Sequence, residues 1–154
     1  MTRYLVLLAI VLLTSACAGR PGVAPYGPMS ARGGYQEVQV GPGVWRILAR
    51  SIGKDGAGYA RNMAEYRAGE LLKARGFSHV QMLGQNGRWE LGKQFGRGRR
   101  RVHTNEMEVI VCGAHDRSPP PECHETNAHS CYTQSVESMM AGARPKLEHP
   151  PGGS

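Results

Sequence analysis

Residues 59–75 carry the one long helical stripe in this sequence, and that stripe limits the fold more than any other feature. Ala60, Ala64, Ala68 and Leu71 recur at helical spacing, flanked by Met63, Leu72 and Ala74, while Arg61, Asn62, Glu65 and Lys73 point the other way. Gly76 stands where a helix commonly ends in a left-handed residue, so the pattern predicts a helix closing at Arg75. A helix with a single apolar stripe must bury it against a second layer.

The flanking segments supply that layer as strands. Residues 35–40 alternate, with Tyr35, Glu37 and Gln39 on one face and Val38 and Val40 on the other. Gly41-Pro42-Gly43 punctuates a turn, and residues 44–51 follow with Trp45, Ile47 and Ala49 on one face, which reads as a hairpin. Beyond the helix, residues 77–83, 89–95 and 101–112 read as three further strands, the last ending in Val109-Ile110-Val111. Residues 132–140 read as a short closing helix with Val136, Met139 and Met140 inward. The order is β-β-α-β-β-β-α, and short turns imply antiparallel pairing. The expected fold class is therefore α+β, a two-layer sandwich of an antiparallel sheet covered by one amphipathic helix. A chain of 154 residues suits one such domain and excludes a large enzyme with a separate substrate domain.

Residues 4–13 do not belong to that domain. They form an unbroken apolar run behind Arg3, followed by the small residues Thr14, Ser15 and Ala16. The run is shorter than the roughly 20 residues needed to cross the bilayer core. It has the three parts of a secretory signal peptide, expected to span residues 1–16. Leu13-Thr14-Ser15-Ala16-Cys17 resembles a bacterial lipobox, with Thr14 where Leu is usual. The resemblance implies lipidation of Cys17, which would become the mature N-terminus. Several acyl chains make such attachment nearly permanent, where a single chain holds weakly. Ala18, in place of Asp, resembles the default signal for the outer membrane, so the expected location is that membrane, lipid-anchored and facing the periplasm. The alternative is an ordinary secretory signal in which Cys17 is incidental.

Composition then divides the rest. Residues 17–34 are rich in Gly and Pro without a periodic apolar face, which predicts a flexible tether. Residues 35–142 form the α+β domain, with a Cys/His-rich insertion at 113–131, and residues 143–154 are expected to be a disordered tail. Lys and Arg number 19 against 12 Asp and Glu, a formal net charge of +7, which favours anionic partners. A periplasmic address offers no cytosolic nucleic acid. The basic cluster Arg97-Gly98-Arg99-Arg100-Arg101 therefore reads as a solvated hairpin near anionic lipid or lipopolysaccharide phosphate.

From Gly34 to Met82 the sequence resembles a family of small proteobacterial envelope lipoproteins of unknown function. The resemblance rests on Gly34-Tyr35 at the first strand, on Arg67-Ala68-Gly69-Glu70-Leu71 in the helix, and on Gly76-Phe77 leading into the next strand. In that family the helix usually reads Arg-Ala-Ala-Glu-Leu, so Gly69 replaces the second Ala, and Met63 stands where a Tyr is expected. The resemblance implies the fold and the lipid anchor, and it implies no activity.

Arg67 and Glu70 are three apart on the helix, within pairing distance. Arg67 projects towards the apolar stripe, where an unpaired cation is costly. Its structural reading is an ion pair at the helix–sheet seam, and its functional reading is an anion-binding Arg at a sheet edge. Cys112 at the strand end and His115, Cys123, His124, His129 and Cys131 of the insertion form a cluster of soft and borderline ligands suited to Zn²⁺ or copper. No pair has Cys-x-x-Cys spacing. His124 and His129 are five apart rather than the four a zinc-protease helix requires, so a protease is rejected. The competing reading is a disulfide drawn from Cys112, Cys123 and Cys131. Closing about nine residues between Cys123 and Cys131 stabilises by roughly 2.5 kcal/mol in the chain-entropy model.

Three weaker patterns complete the inventory. His115-Asp116 near Ser118 has hydrolase residue types without a nucleophile elbow. The stretch from Gly53 to Gly58 leads into a helix N-terminus without the P-loop pattern. Glu106 and Glu108 share one strand face as salt-bridge partners for the arginine run. The resulting expectation is a non-enzymatic envelope binding or structural protein with no cofactor and no catalytic residue. Its partners would be the membrane, through the lipid anchor, and an anionic envelope component or envelope protein. The alternative is a periplasmic Zn- or Cu-binding protein using the insertion.

Overall fold

A computed structural model describes residues 25–53, 56–94, 100–121 and 131–148. The leader, Cys17, Arg97 to Arg99, Cys123, His124, His129 and the last six residues lie outside the described residues.

The chain forms β1 (Gly34–Gly41), β2 (Val44–Ile52), α1 (Gly56–Ala74), β3 (His79–Gln94), β4 (Arg100–Ala114), β5 (Tyr132–Ser135) and α2 (Val136–Glu148). The strands make one five-stranded sheet in the order β1-β2-β4-β3-β5, antiparallel throughout. The fold is α+β, with both helices on one face of an open antiparallel sheet.

Local chemistry accounts for the element boundaries. The β1–β2 hairpin turns at Pro42-Gly43, where Pro fixes the first corner and Gly43 takes φ +71° at the second. Helix α1 ends in a Schellman arrangement: Gly76 has φ +83°, Phe77 N–H donates to Leu72 O at 3.1 Å, and Gly76 N–H to Lys73 O at 3.0 Å. Alternation on β2 sends Trp45, Ile47 and Ala49 to the helix side, where they meet Val109 and Val111 of β4 and Met63, Ala64, Ala68 and Leu72 of α1. Ile47, Met63, Leu72 and Met82 have no exposed surface. Each such side chain stabilises the fold by about 1.5–3 kcal/mol.

Four boundaries differ from the sequence expectation. The segments at 77–83 and 89–95 belong to one continuous strand, β3, because β4 offers it a register from Ala114 to Arg100 with a single irregularity between Met82 and Gly84. The fifth strand comes instead from β5, which pairs with His79 to Met82. Residues 132–135 are thus strand and not helix. Ser135 then caps α2, its Oγ accepting Ser138 N–H at 3.2 Å. Helix α2 runs on to Glu148, so residues 143–148 are not a disordered tail. Ala143 is buried and Leu147 packs on the core, which holds the last turns in place with Pro145 inside the helix.

The stretch expected as a free tether is also docked from Tyr26 onward. Ser30 and Gly33 close a tight turn, Ser30 N–H donating to Gly33 O at 2.8 Å. Tyr35 N–H donates to Gly27 O at 2.9 Å, and Met29 N–H to Tyr35 O at 2.7 Å. Gly34 has φ +123°, and a β-carbon there would stand 2.4 Å from Pro28 O, so this strap over β1 requires glycine.

Candidate functional site

The strap, β1 and α1 converge on one polar nest. Arg67 on α1 reaches back to β1, where its Nη2 donates to Glu37 Oε1 at 2.9 Å, while Nη1 donates to Glu70 Oε2 at 3.1 Å. Its guanidinium carbon lies 4.9 Å from the centroid of the Tyr35 ring. Tyr26 of the strap donates its phenol O–H to the same Glu70 oxygen. The Tyr26 ring stacks 5.0 Å from Tyr35 and meets Tyr66 edge-on at 5.2 Å. On the far side, Arg144 Nη2 of α2 donates to Tyr66 Oη at 2.9 Å, which ties the second helix to the nest.

The hydrogen bonds of Arg67 to Glu37, then to Glu70, raise its pKa against the opposing effect of burial, so it is cationic at every accessible pH. Two carboxylates, Glu37 and Glu70, engage Nε, Nη1 and Nη2 of Arg67, so each of its guanidinium nitrogens already has a carboxylate partner. Arg67 thus ties α1 to β1 through the ion pair of its structural reading, with Glu37 added to it. Tyr26 has its pKa pushed well above the usual phenol value, first by burial and then by its bond to Glu70, so it stays a neutral donor. The i,i+3 spacing of Arg67 and Glu70 was visible in the sequence. Glu37 and Tyr26 were not, because they approach from 30 and 44 residues away.

Of the Cys/His group, Cys112, His115 and Cys131 lie among the described residues. Cys112 is a free thiol on β4, set between Val44 of β2 and Gln81 of β3. Burial pushes its pKa up, so the thiol form prevails, and Sγ lies 3.6 Å from Gly113 O. Cys131 is disulfide-bonded, and Cys112 is therefore not its partner. Bonding of Cys131 removes it from the thiolate ligand set, and Cys112 drops out of the disulfide candidates. His115 lies past the end of β4 with its ring 5.1 Å from Phe77. Among the described residues, no group of three or more His, Cys, Asp or Glu side chains gathers as a metal site.

His115, Asp116 and Ser118 do not form a relay. Asp116 Oδ1 accepts Ser118 N–H at 3.0 Å, and hydrogen bonds from the Ser118 side chain and backbone hold its carboxyl below the usual range. Ser118 is turned onto the sheet instead, where Gln81 Nε2 donates to its Oγ at 3.1 Å and Thr133 Oγ1 donates to its carbonyl at 2.6 Å. The segment after β4 is thereby pinned over β3 and β5.

At the glycine-rich entry to α1, Gly56 is packed against the sheet. A β-carbon at Gly56 would stand 2.6 Å from Asn105 Nδ2 and 3.0 Å from Ser51 Oγ, and Asn105 Nδ2 donates to Gly53 O at 2.8 Å.

The second sheet face carries a charge ladder. Glu106 Oε1 lies 2.6 Å from Arg50 Nη2, its Oε2 lies 3.1 Å from Arg88 Nη2, and Glu108 Oε2 lies 3.7 Å from Arg46 Nε. Glu106 and Glu108 thus pair with arginines of neighbouring strands, while the run at 97–101 has its side chains outside the described residues. Burial works to raise the Glu106 pKa, but the hydrogen bonds and charges of Arg50 and Arg88 outweigh it and hold the carboxyl low. Val38 and Val40 are exposed on this face.

Compared with family models, curated proteins and solved structures, the chain finds no match.

Proposed function

We propose that this chain is an outer-membrane lipoprotein, fastened through Cys17, whose α+β domain faces the periplasm and acts by binding an envelope component and not by catalysis. The observation that carries the reading is the apolar run of residues 4–13 ending in Leu13-Thr14-Ser15-Ala16-Cys17, with Ala18 next. Docking of the strap supports it with a geometric consequence. The anchored Tyr26 follows Cys17 by only nine residues. Fully extended, that stretch reaches about 30 Å. The domain would stand close against the bilayer, within range of anionic headgroups for a chain of net charge +7. The sheet face bearing Val38, Leu48, Arg46 and Arg50 would be the surface offered to a partner.

The test is metabolic labelling of the full chain with radioactive palmitate, followed by membrane fractionation. The expected result is label in the wild type, none in Cys17→Ser, and loss of the variant from the outer-membrane fraction. Label persisting in Cys17→Ser would overturn the anchor. Wild-type protein that is released without detergent would overturn the location.

A further inference from the structure

The two rims of the sheet differ. At one rim, β1 is overlaid by the strap and broken by an irregularity between Gln39 and Gly41. At the other, β5 covers β3 only from His79 to Met82. Among the described residues, no strand pairs with residues 87–91 of β3 on the side away from β4. Native sheets usually protect such an edge with Lys, Pro or a bulge. This edge instead carries Trp89, 70% exposed, and Leu91, 45% exposed, on one face. Arg88 and Glu90, both largely exposed, lie on the other.

We infer that residues 87–91 of β3 form a self-complementary edge that pairs with the same edge of a second copy of this chain, antiparallel and centred on Trp89. In that register Arg88 lies opposite Glu90 of the second copy and Glu90 opposite its Arg88, giving two symmetric ion pairs. On the other face the two Trp89 rings become cross-strand neighbours, and Leu91 lies over the space left by Gly87 of the second copy. The neighbouring two-fold registers that keep the same faces together fail. Centring on Arg88 opposes two arginines, and centring on Glu90 opposes two glutamates. Like charges directly opposite destabilise a strand pair, whereas opposite charges and aromatic pairs stabilise it. A single register is therefore specified, and a two-fold axis through it extends one sheet into the next. The inference is independent of the anchor.

The test uses the full chain in detergent micelles. Sedimentation equilibrium is expected to show a monomer–dimer equilibrium, weakened at least about tenfold by Glu90→Arg, which sets Arg88 against a second arginine in both pairs. Arg88→Glu alone should weaken it similarly, and an equimolar mixture of the two variants should recover a heterodimer. Arg88 also meets Glu106 within the chain at 3.1 Å, so circular dichroism checks the fold of that variant. If it does not fold, cysteine cross-linking decides. Trp89→Cys, on the axis, should oxidise to a dimer linked through position 89, while Leu91→Cys, displaced from the axis, should not. A wild type that stays monomeric at every concentration overturns the inference, as does Glu90→Arg associating like the wild type. Trp89 emission shifting to the blue on anionic vesicles without self-association would also overturn it, by assigning the patch to lipid.

Discussion

A β-carbon placed on Gly69 would stand 2.4 Å from Cγ of Met140, so the two helices touch at a point where α1 has no side chain. Val136 O would be only 3.6 Å from the same β-carbon. Alanine in a helix interior is favoured over glycine by about 1 kcal/mol, but an overpacked contact costs about 1–3 kcal/mol. Gly69→Ala should therefore lower the urea midpoint. In a Met140→Ala background the same change should raise it, a gain in stability of about 1 kcal/mol. Equal effects in both backgrounds would mean that Met140 does not set the helix spacing.

The strap depends on Tyr26. Its phenol is a neutral donor to Glu70, a carboxylate already held by Arg67, so Tyr26→Phe should cost about 1 kcal/mol and loosen the strap locally. Arg32 sits exposed in the strap turn, which makes tryptic cleavage after it a direct readout. Cleavage should be faster in Tyr26→Phe with the rest of the domain intact. Because the folded pKa of Tyr26 is raised, its contribution is complete below the ordinary phenol value of about 10 and is lost as pH rises beyond it. The two proteins should therefore converge in stability under alkaline conditions.

Features set by neighbours in the chain are legible in this sequence: the Pro42-Gly43 turn, the Gly76 cap, the helical stripe and the Arg67–Glu70 spacing. Features set by distant partners are not. Gly84 and Gly87 look like punctuation, yet β3 runs through both because β4 is an unbroken template and an irregularity before Gly84 absorbs the mismatch. Pro28, Gly33 and Gly34 give the strap the composition of a linker, while the aromatic contacts of Tyr26 dock it on residues far along the chain. Thr133 and Tyr132 precede a helical pattern closely enough to be counted into it, although the edge of β3 draws them into the sheet.

Glu106 makes the charge ladder pH-dependent in a defined direction. Its pKa is depressed in the folded state, so the unfolded chain takes up a proton first as the solution is acidified. The stability it contributes is full above the ordinary carboxylate value of about 4.3 and is lost as pH falls through the lower folded value. Urea unfolding at pH 7, 5, 4 and 3 should show the wild type losing its advantage over Glu106→Gln below pH 5. A constant difference at all four values would mean that Arg50 and Arg88 do not stabilise the ionised form.

Ser51 gives a prediction of opposite sign, a gain from removing an atom. Its side chain is fully buried on the helix face of β2, opposite Asn105 of β4, and its Oγ has no hydrogen-bond partner among the described residues. A buried hydroxyl without a partner costs about 1–3 kcal/mol of desolvation. Ser51→Ala removes that penalty while leaving the β-carbon that packs near Gly56, so it should stabilise the domain by about 1 kcal/mol, or about 4 °C in Tm. Ser51→Val should not share the gain. Gly56 and Asn105 crowd this position, and two extra methyl groups would force the start of α1 off the sheet. Calorimetry of the two variants against wild type separates the effects, and a lower Tm for Ser51→Ala would show that the hydroxyl is hydrogen-bonded in solution after all.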